Sequence, residues 1–236
     1  MLIWRSIHWL GVGGILWAQG KFQFYTQHFL NRGRTLYEAF AHWKALYNGS
    51  LTMNLVVFVG CFWRYCPPLL TVEALTDPSV VACRAIGLCL IGLSAWSATS
   101  CYEAVGDFGW FYGDFFIPPS QYSHSISYTG IYRFLNNPDT VTGYAGLYGL
   151  ALIAQSWQVL ALALVSQAMN FLFLVCVEIP YMKTLYPSKV SLCTRLCALL
   201  YSVLCAAPLC YALLRCALPC AAFVFGFGRF AADRCI

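Results

Sequence analysis

The sequence predicts an all-α fold, a multi-pass transmembrane helical bundle of about five to six spans. Of its 236 residues, 60% are hydrophobic and only 10% are charged, whereas roughly a quarter of the residues of a soluble domain are charged. The apolar residues also gather in runs that approach the roughly 20 residues needed to cross a bilayer. A chain of this length is sufficient for one compact bundle.

The first two predicted spans are short. Ile3–Ala18 is apolar apart from Arg5 and His8, and Leu51–Tyr65 is a second short run. Between them, Gln19–Ser50 carries more bases than acids. The positive-inside rule therefore places this connection in the cytosol.

The later spans are longer. Val80–Tyr102 is long enough for one helix, and Leu192–Leu214 supplies another. Val141–Val177 is too long for one span, and the polar run Gln155–Gln158 interrupts it, which indicates a tight helical hairpin. We expect residues 1–50 to form a short span with a cytosolic basic segment, 51–189 the core, and 190–236 a C-terminal membrane segment to which the sequence assigns no role.

Several functional classes are disfavoured. The net charge of +5 is scattered and forms no basic run, which argues against nucleic acid as a partner. Most of the 13 cysteines lie in apolar runs without zinc-ligand spacing, so no metal site is expected. A transporter would place ionisable residues in mid-span around a cavity, whereas the polar candidates here gather at one membrane face.

The connection from Glu103 to Thr140 is rich in glycine, aromatic and acidic residues. Trp110 and Tyr112 suit the membrane–water interface, and their ring faces could also attract a cation. An interfacial segment and a binding site both remain open for this stretch.

A polar cluster precedes the hairpin. Arg133, Asn136 and Asn137 are followed by Pro138 and Asp139, which are typical of a helix start. We therefore interpret Asp139 as a helix cap.

Glu178 closes the second helix of the hairpin, whose first helix opens with Gly143-Tyr144-Ala145-Gly146. A short turn makes the two helices antiparallel neighbours, so their open ends must meet. Glu178 and the polar cluster are therefore expected to share one site.

Several stretches resemble a known family. They are the runs 130–138 and 178–186, the aromatic stretch 102–116, and Tyr37-Glu38-Ala39-Phe40. Together they resemble the phosphatidylethanolamine N-methyltransferases of the large, fungal-type class, in particular their second methyltransferase module. The likeness extends from about Gln19 to Tyr186, most of the chain.

Two positions depart from the wider family of membrane methyltransferases, which includes the isoprenylcysteine carboxyl methyltransferases. Asn136 and Asn137 stand where an Arg-His pair is usual, and Ile179 follows Glu178 where a second glutamate is usual. An isoprenylcysteine-type carboxyl methyltransferase and a non-catalytic module that binds lipid or cofactor therefore remain as alternatives.

The resemblance implies S-adenosylmethionine-dependent N-methylation of phosphatidylethanolamine, a step of phosphatidylcholine biosynthesis, in the endoplasmic reticulum with the active site facing the cytosol. It implies a phospholipid substrate from the bilayer, with a second methyltransferase module or a second copy of the chain as further candidate partners. Glu178 and Glu103 are the candidate catalytic proton acceptors. The residues assigned to the cofactor are Arg133, Asn136, Asn137, Pro138, Gly143, Gly146 and Glu178.

Overall fold

The computed structural model describes residues 1–67, 76–122 and 142–185, and the regular structure within those ranges is helical. The α-helices are α1 (Leu2–Phe22), α2 (Phe24–Leu30), α3 (Leu36–Tyr65), α4 (Pro78–Trp110), α5 (Ala145–Ala154), α6 (Trp157–Phe173) and α7 (Ile179–Leu185). A 3-10 turn, Gly113–Phe115, follows α4, and a π-helical turn, Leu174–Glu178, joins α6 to α7. The predicted span Leu192–Leu214 lies outside the described residues.

Within the described residues, three helical segments are long and apolar enough to cross a membrane: Leu36–Tyr65, Pro78–Phe115 and Trp157–Leu185. The α5 helix is apolar but has only 10 residues. The all-α class is therefore confirmed for the described part of the chain. The larger number of spans and the domain boundaries at residues 50 and 189 stay predictions.

The α1 helix turns one face to the bundle, with buried residues recurring every three or four positions. Buried Gln19 joins three segments at the end of this face. Its Nε2 donates to Thr26 Oγ1 and to the Phe115 carbonyl, both at 3.0 Å, and its Oε1 accepts from the Tyr25 N–H at 2.9 Å. This amide therefore fixes the α1–α2 corner against the segment that follows α4.

The α3 helix begins at a capping box, in which Thr35 Oγ1 accepts from the Glu38 N–H and the Glu38 carboxylate accepts from the Thr35 N–H. It extends to Tyr65, so the predicted span Leu51–Tyr65 is the second half of a longer helix. Near its start, the indole of Trp43 donates to the Phe111 carbonyl at 2.9 Å.

The α4 helix begins at Asp77, whose carboxylate accepts from the backbone and side chain of Ser79, with Pro78 at the first helical position. These hydrogen bonds hold the pKa of the Asp77 carboxyl below its usual value. The helix contains the predicted span Val80–Tyr102. It kinks at Gly106, where φ is 61° and ψ is −172°.

The α5 and α6 helices form the predicted hairpin, with a turn at Gln155, whose φ is 47°, and Ser156. The two helices pack on each other, and Tyr148 on α5 hydrogen-bonds Gln167 on α6. The helical hairpin is thus confirmed as a structural element.

Aromatic side chains form the core around the ends of α1, α3 and α4. Trp43 meets Phe116 in a tilted pair with 5.4 Å between the ring centres, and Phe115 stacks on Tyr181 of α7 with 3.9 Å between the ring centres. A second core lies along the hairpin and includes Phe58, Tyr148 and Val159. The candidate site lies between these two cores.

Candidate active site

A cavity of about 290 Å³ lies inside the bundle, and α1, α3, α4, the start of α5 and the end of α6 all contribute to its wall. Each helix presents side chains at helical spacing. The wall includes Arg5, His8 and Trp9 of α1; Tyr47, Leu51, Asn54, Leu55 and Phe58 of α3; Cys101, Val105, Gly109 and Trp110 of α4; and Asn170, Leu174 and Glu178 around the end of α6. Tyr112, Gly143, Tyr144 and Leu147 complete it.

The two open ends of the hairpin meet in this cavity, because Gly143 and Glu178 both line it. The segment before α5 is also tied to α4. Ser94 Oγ donates to the Gly143 carbonyl at 2.8 Å, and the hydroxyls of Ser97 and Thr142 share a hydrogen bond of 2.5 Å. The expected convergence of the hairpin ends is therefore observed for these described residues.

The local backbone explains the position of Glu178, which ends the π-helical turn Leu174–Glu178. Pro180 follows two residues later and cannot donate a backbone hydrogen bond to Cys176, and its ring would clash with that carbonyl in an α-helix. The wider π-turn relieves this conflict. Such turns occur often at functional sites.

Trp110 and Tyr112 both line the cavity, after the kink at Gly106. Tyr112 has a left-handed backbone, with φ of 59°, an uncommon conformation for a residue with a side chain. Trp110 meets the ring of Tyr102 edge to face at 5.9 Å. The predicted aromatic pair thus lines the same cavity as Glu178, while their role in cation binding stays a prediction.

Two predicted site residues are not part of the cavity wall. Glu103 is exposed, and it lies two positions from Cys101 and from Val105, which places it on another face of α4. Gly146 packs on α4, where an added Cβ would lie 3.0 Å from Ser94 Oγ. The catalytic role of Glu103 and the cofactor role of Gly146 stay predictions.

The remaining predicted cofactor residues are Arg133, Asn136, Asn137 and Pro138, and all four lie outside the described residues.

Four buried polar residues of the cavity were absent from the predicted site: Arg5, His8, Asn54 and Asn170. Arg5 and His8 entered the sequence interpretation only as interruptions of an apolar run. A usable signal was present, because polar residues inside membrane helices usually mark functional sites. What the sequence did not indicate is that α1 and α3 face the hairpin.

Hydrogen bonds hold part of this polar wall. His8 Nδ1 and Ser50 Oγ are 2.7 Å apart, and Asn54 Nδ2 donates to the Ser50 carbonyl at 3.1 Å. Arg5 Nη2 donates to the Tyr144 hydroxyl at 3.4 Å, which links α1 to the start of α5.

In the described part of the chain, no three His, Cys, Asp or Glu side chains are placed to share a metal ion.

The fold and the cavity define a helical protein with membrane-spanning segments and an internal polar site next to an aromatic core. Residues 82–189 match the family model described as phospholipid methyltransferase, and that range contains Trp110, Tyr112, Gly143 and Glu178. This segment of the chain is therefore similar to the phospholipid methyltransferases. The resemblance read from the sequence is confirmed.

The relatives of this chain are fungal proteins named phosphatidylethanolamine N-methyltransferase. The chain is 40% identical over 185 residues to the one from Aspergillus niger, 42% over 185 to that from Pyrenophora tritici-repentis, and 42% over 186 to that from Podospora anserina. Each match covers 78% of this chain but only 16%, 20% and 19% of the respective relative. The chain thus spans a fifth or less of the length of these relatives. No solved structure matches it.

Proposed function

We propose that this chain transfers a methyl group from S-adenosylmethionine to the amine of phosphatidylethanolamine, in phosphatidylcholine biosynthesis. The observation that carries the proposal is the common cavity of Glu178, Trp110 and Tyr112, within the segment that matches the phospholipid methyltransferases. Such a reaction brings together two cations, a sulfonium donor and a lipid ammonium. A carboxylate and aromatic ring faces are suitable partners for both.

The chemistry assigns separate tasks to these residues. The donor, when bound, supplies an electrophilic methyl group. The lipid nitrogen must first lose a proton so that its lone pair can form the new N–C bond, and Glu178 is the proposed acceptor of that proton because it alone of the two candidate glutamates lines the cavity. Trp110 and Tyr112 are proposed to hold the cations, each contributing roughly 0.5–2 kcal/mol.

The residues present fit a cationic donor. Gly143 and Glu178 lie together at the mouth of the hairpin, and Gly143 leaves the wall free of a side chain there. We assign donor binding to these two residues with Arg133, Asn136, Asn137 and Pro138. Gly146 supports the same segment through its contact with Ser94.

We propose that the cavity serves the cytosolic face of the endoplasmic reticulum membrane. The C-terminal end of α1, the first turn of α7 and the segment after α4 lie together, since an added Cβ on Gly20 would be 2.7 Å from Tyr181 and 3.3 Å from Phe115. Lys21 and Lys183 are close to this end in sequence, and such a concentration of bases favours the cytosol. In this topology α1, the α5 helix of the hairpin and Leu192–Leu214 supply the additional spans.

Because the chain spans a fifth or less of the length of its relatives, we consider which partner it would need. We propose that the chain corresponds to the second of two methyltransferase modules, and that a first module or a second copy of this chain is its partner. The lipid substrate enters from the bilayer.

The proposed function is tested by methyl transfer with the 236-residue chain in mixed micelles. Labelled S-adenosylmethionine is supplied with phosphatidylethanolamine or with its mono- and dimethyl forms. Label in a phospholipid is expected, and the preferred acceptor identifies the methylation step. Donor binding without transfer to any acceptor would instead favour the non-catalytic module that the departures at Asn136, Asn137 and Ile179 suggest. Transfer to a prenylated cysteine instead of a lipid amine would favour the carboxyl methyltransferase.

Glu178→Gln tests the proton acceptor within that assay. We expect its turnover to fall by about 100-fold or more, because the amide cannot take the proton. Glu103→Gln makes the same change on another face of α4 and is expected to cost less than about tenfold. Equal losses in the two variants would contradict the preference for Glu178.

A further inference from the structure

Arg5 is a buried cation that has no counter-ion among the described residues. The residue is only 8% exposed and lines the cavity. Its guanidinium carbon lies 6.0 Å from the ring centre of Trp9 and 5.9 Å from that of Tyr144. Its Nε has no hydrogen-bond partner, and Arg5 forms no ion pair within the part of the chain that the structure describes. A buried charge is costly unless an opposite charge compensates it, so this wall is suited to an anion.

A second polar atom of the same wall is unsatisfied. Asn54 is 1% exposed, and although its Nδ2 donates to the Ser50 carbonyl, its Oδ1 has no partner among the residues that the structure describes. Within the same residues, the buried indole N–H of Trp9 also has no partner. Because buried polar groups are normally hydrogen-bonded, three such atoms on one cavity wall indicate a polar ligand.

Arg5 lies deeper in the bundle than Glu178. Gly13 of α1 faces the turn just before Glu178, since its added Cβ would be 3.2 Å from Phe173 and 3.9 Å from Val177. Arg5 precedes Gly13 by eight residues, which is about 12 Å along the helix axis. The cavity therefore has a carboxylate toward one end and a guanidinium toward the other.

The cavity reaches the lipid-facing surface beside Arg5. Leu51 and Leu55 of α3 belong to its wall and are nevertheless 36% and 57% exposed. In a bilayer these side chains would touch acyl chains. A ligand that enters past them would be amphipathic.

We propose that Arg5 binds the phosphodiester of the phospholipid substrate while its amine lies at Glu178 and Trp110. The order along the cavity is that of a phospholipid in a membrane, with the amine outermost and the phosphate nearer the acyl chains. This inference rests on the proposed function for the identity of the lipid. It adds a binding residue on α1, outside the segment 82–189 that matches the family.

The test is lipid binding without donor. Delipidated 236-residue chain in detergent is titrated with short-chain phosphatidylethanolamine or with diacylglycerol of the same chains, and tryptophan fluorescence is followed. Arg5→Gln is expected to weaken phosphatidylethanolamine binding about tenfold or more, because charged hydrogen bonds are lost, and to leave diacylglycerol binding unchanged. Arg5→Lys keeps the charge and is expected to lose less. Arg84→Gln, an arginine of α4 outside the cavity wall, is the matched control and keeps wild-type binding.

Wild-type phosphatidylethanolamine binding by Arg5→Gln would overturn the inference, as would an equal loss for both lipids, which indicates a packing role. If Arg5→Gln does not fold, Arg5→Met decides, because it removes the charge and keeps an apolar stem, and an unchanged preference for phosphatidylethanolamine over diacylglycerol in that variant would refute the phosphate site. A raised KM for S-adenosylmethionine with an unchanged lipid KM would assign the anion to the donor carboxylate instead. Because binding requires no turnover, a wild-type chain that discriminates the two lipids but methylates neither would refute the proposed function and leave the Arg5 site standing.

Discussion

Gly106 shows how one residue shapes the site. Its φ of 61° and ψ of −172° lie in a region that is essentially restricted to glycine. The kink at this residue separates the membrane part of α4 from the segment that carries Trp110. An added Cβ would meet nothing within 4 Å, so a steric conflict does not explain why this position is a glycine. The backbone conformation explains it.

Gly106→Ala is therefore expected to destabilise the protein by about 1–3 kcal/mol through backbone strain and to lower methyl transfer by displacing Trp110. Thermal unfolding in detergent and the transfer assay measure the two effects. Gly92→Ala is the matched control, because Gly92 lies on the same helix, also has open space around its Cβ position, and has no positive φ. Alanine favours a helix there by about 1 kcal/mol. Equal melting temperatures for the two variants would refute the strain argument.

At the scale of helices, α4 and α5 approach more closely than side chains would permit. Gly87 and Gly149 face each other, and an added Cβ on Gly149 would lie 2.4 Å from the Gly87 carbonyl oxygen. Small residues let membrane helices pack in this way. This contact positions the start of α5, where Gly143 and Tyr144 line the cavity.

Gly149→Ala is expected to cost about 1–3 kcal/mol, since the obstacle is a backbone atom that cannot rotate away. Methyl transfer should fall with it, because α5 must move away from α4. Unfolding in detergent checks the first effect and the transfer assay checks the second. Gly60→Ala on α3, where an added Cβ meets nothing within 4 Å, should leave methyl transfer unchanged and, like Gly92→Ala, favour the helix by about 1 kcal/mol. A Gly149→Ala protein as stable as Gly60→Ala would contradict the close approach.

The sequence predicted individual helices and turns better than it predicted which helices pack against one another. The hairpin was predictable because Gln155 and Ser156 interrupt an apolar run, and Glu178 stood out as the acid that closes it. The early start of α3 was missed, although Thr35 and Glu38 form a recognisable capping box. Apolar length alone does not reveal this start, because the half of α3 that precedes Leu51 contains charged and polar residues.

The cavity wall was harder to predict, since it depends on which helices meet. Arg5 contacts Tyr144 across 139 positions of sequence, and no local pattern specifies such a pairing. The exposure of Glu103 also escaped prediction. It follows from the helical phase of Cys101 and Val105, and only the packing shows that these two residues face the cavity.

For the whole molecule, the proposed orientation depends on where the basic connections lie. The connection that contains Gly33 lies between α2 and α3, whereas Pro67 follows the other end of α3, and both residues are exposed. The α3 helix is one of the candidate spans, and in the proposed topology it places these two positions on opposite sides of the membrane. The native sequon Asn48-Gly49-Ser50 lies inside α3 and should remain unmodified.

A glycosylation cassette therefore tests the orientation. Inserted after Gly33, it should remain unmodified in microsomes, because the basic connection is cytosolic in the proposed topology. The same cassette inserted after Pro67 should gain a glycan, seen as a gel shift that a glycosidase removes. The two insertions control each other for expression and membrane insertion. The reverse pattern would place the ends of α1 and α7 in the lumen, away from a cytosolic methyl donor, and the proposed orientation would be wrong even if the purified chain methylates lipid.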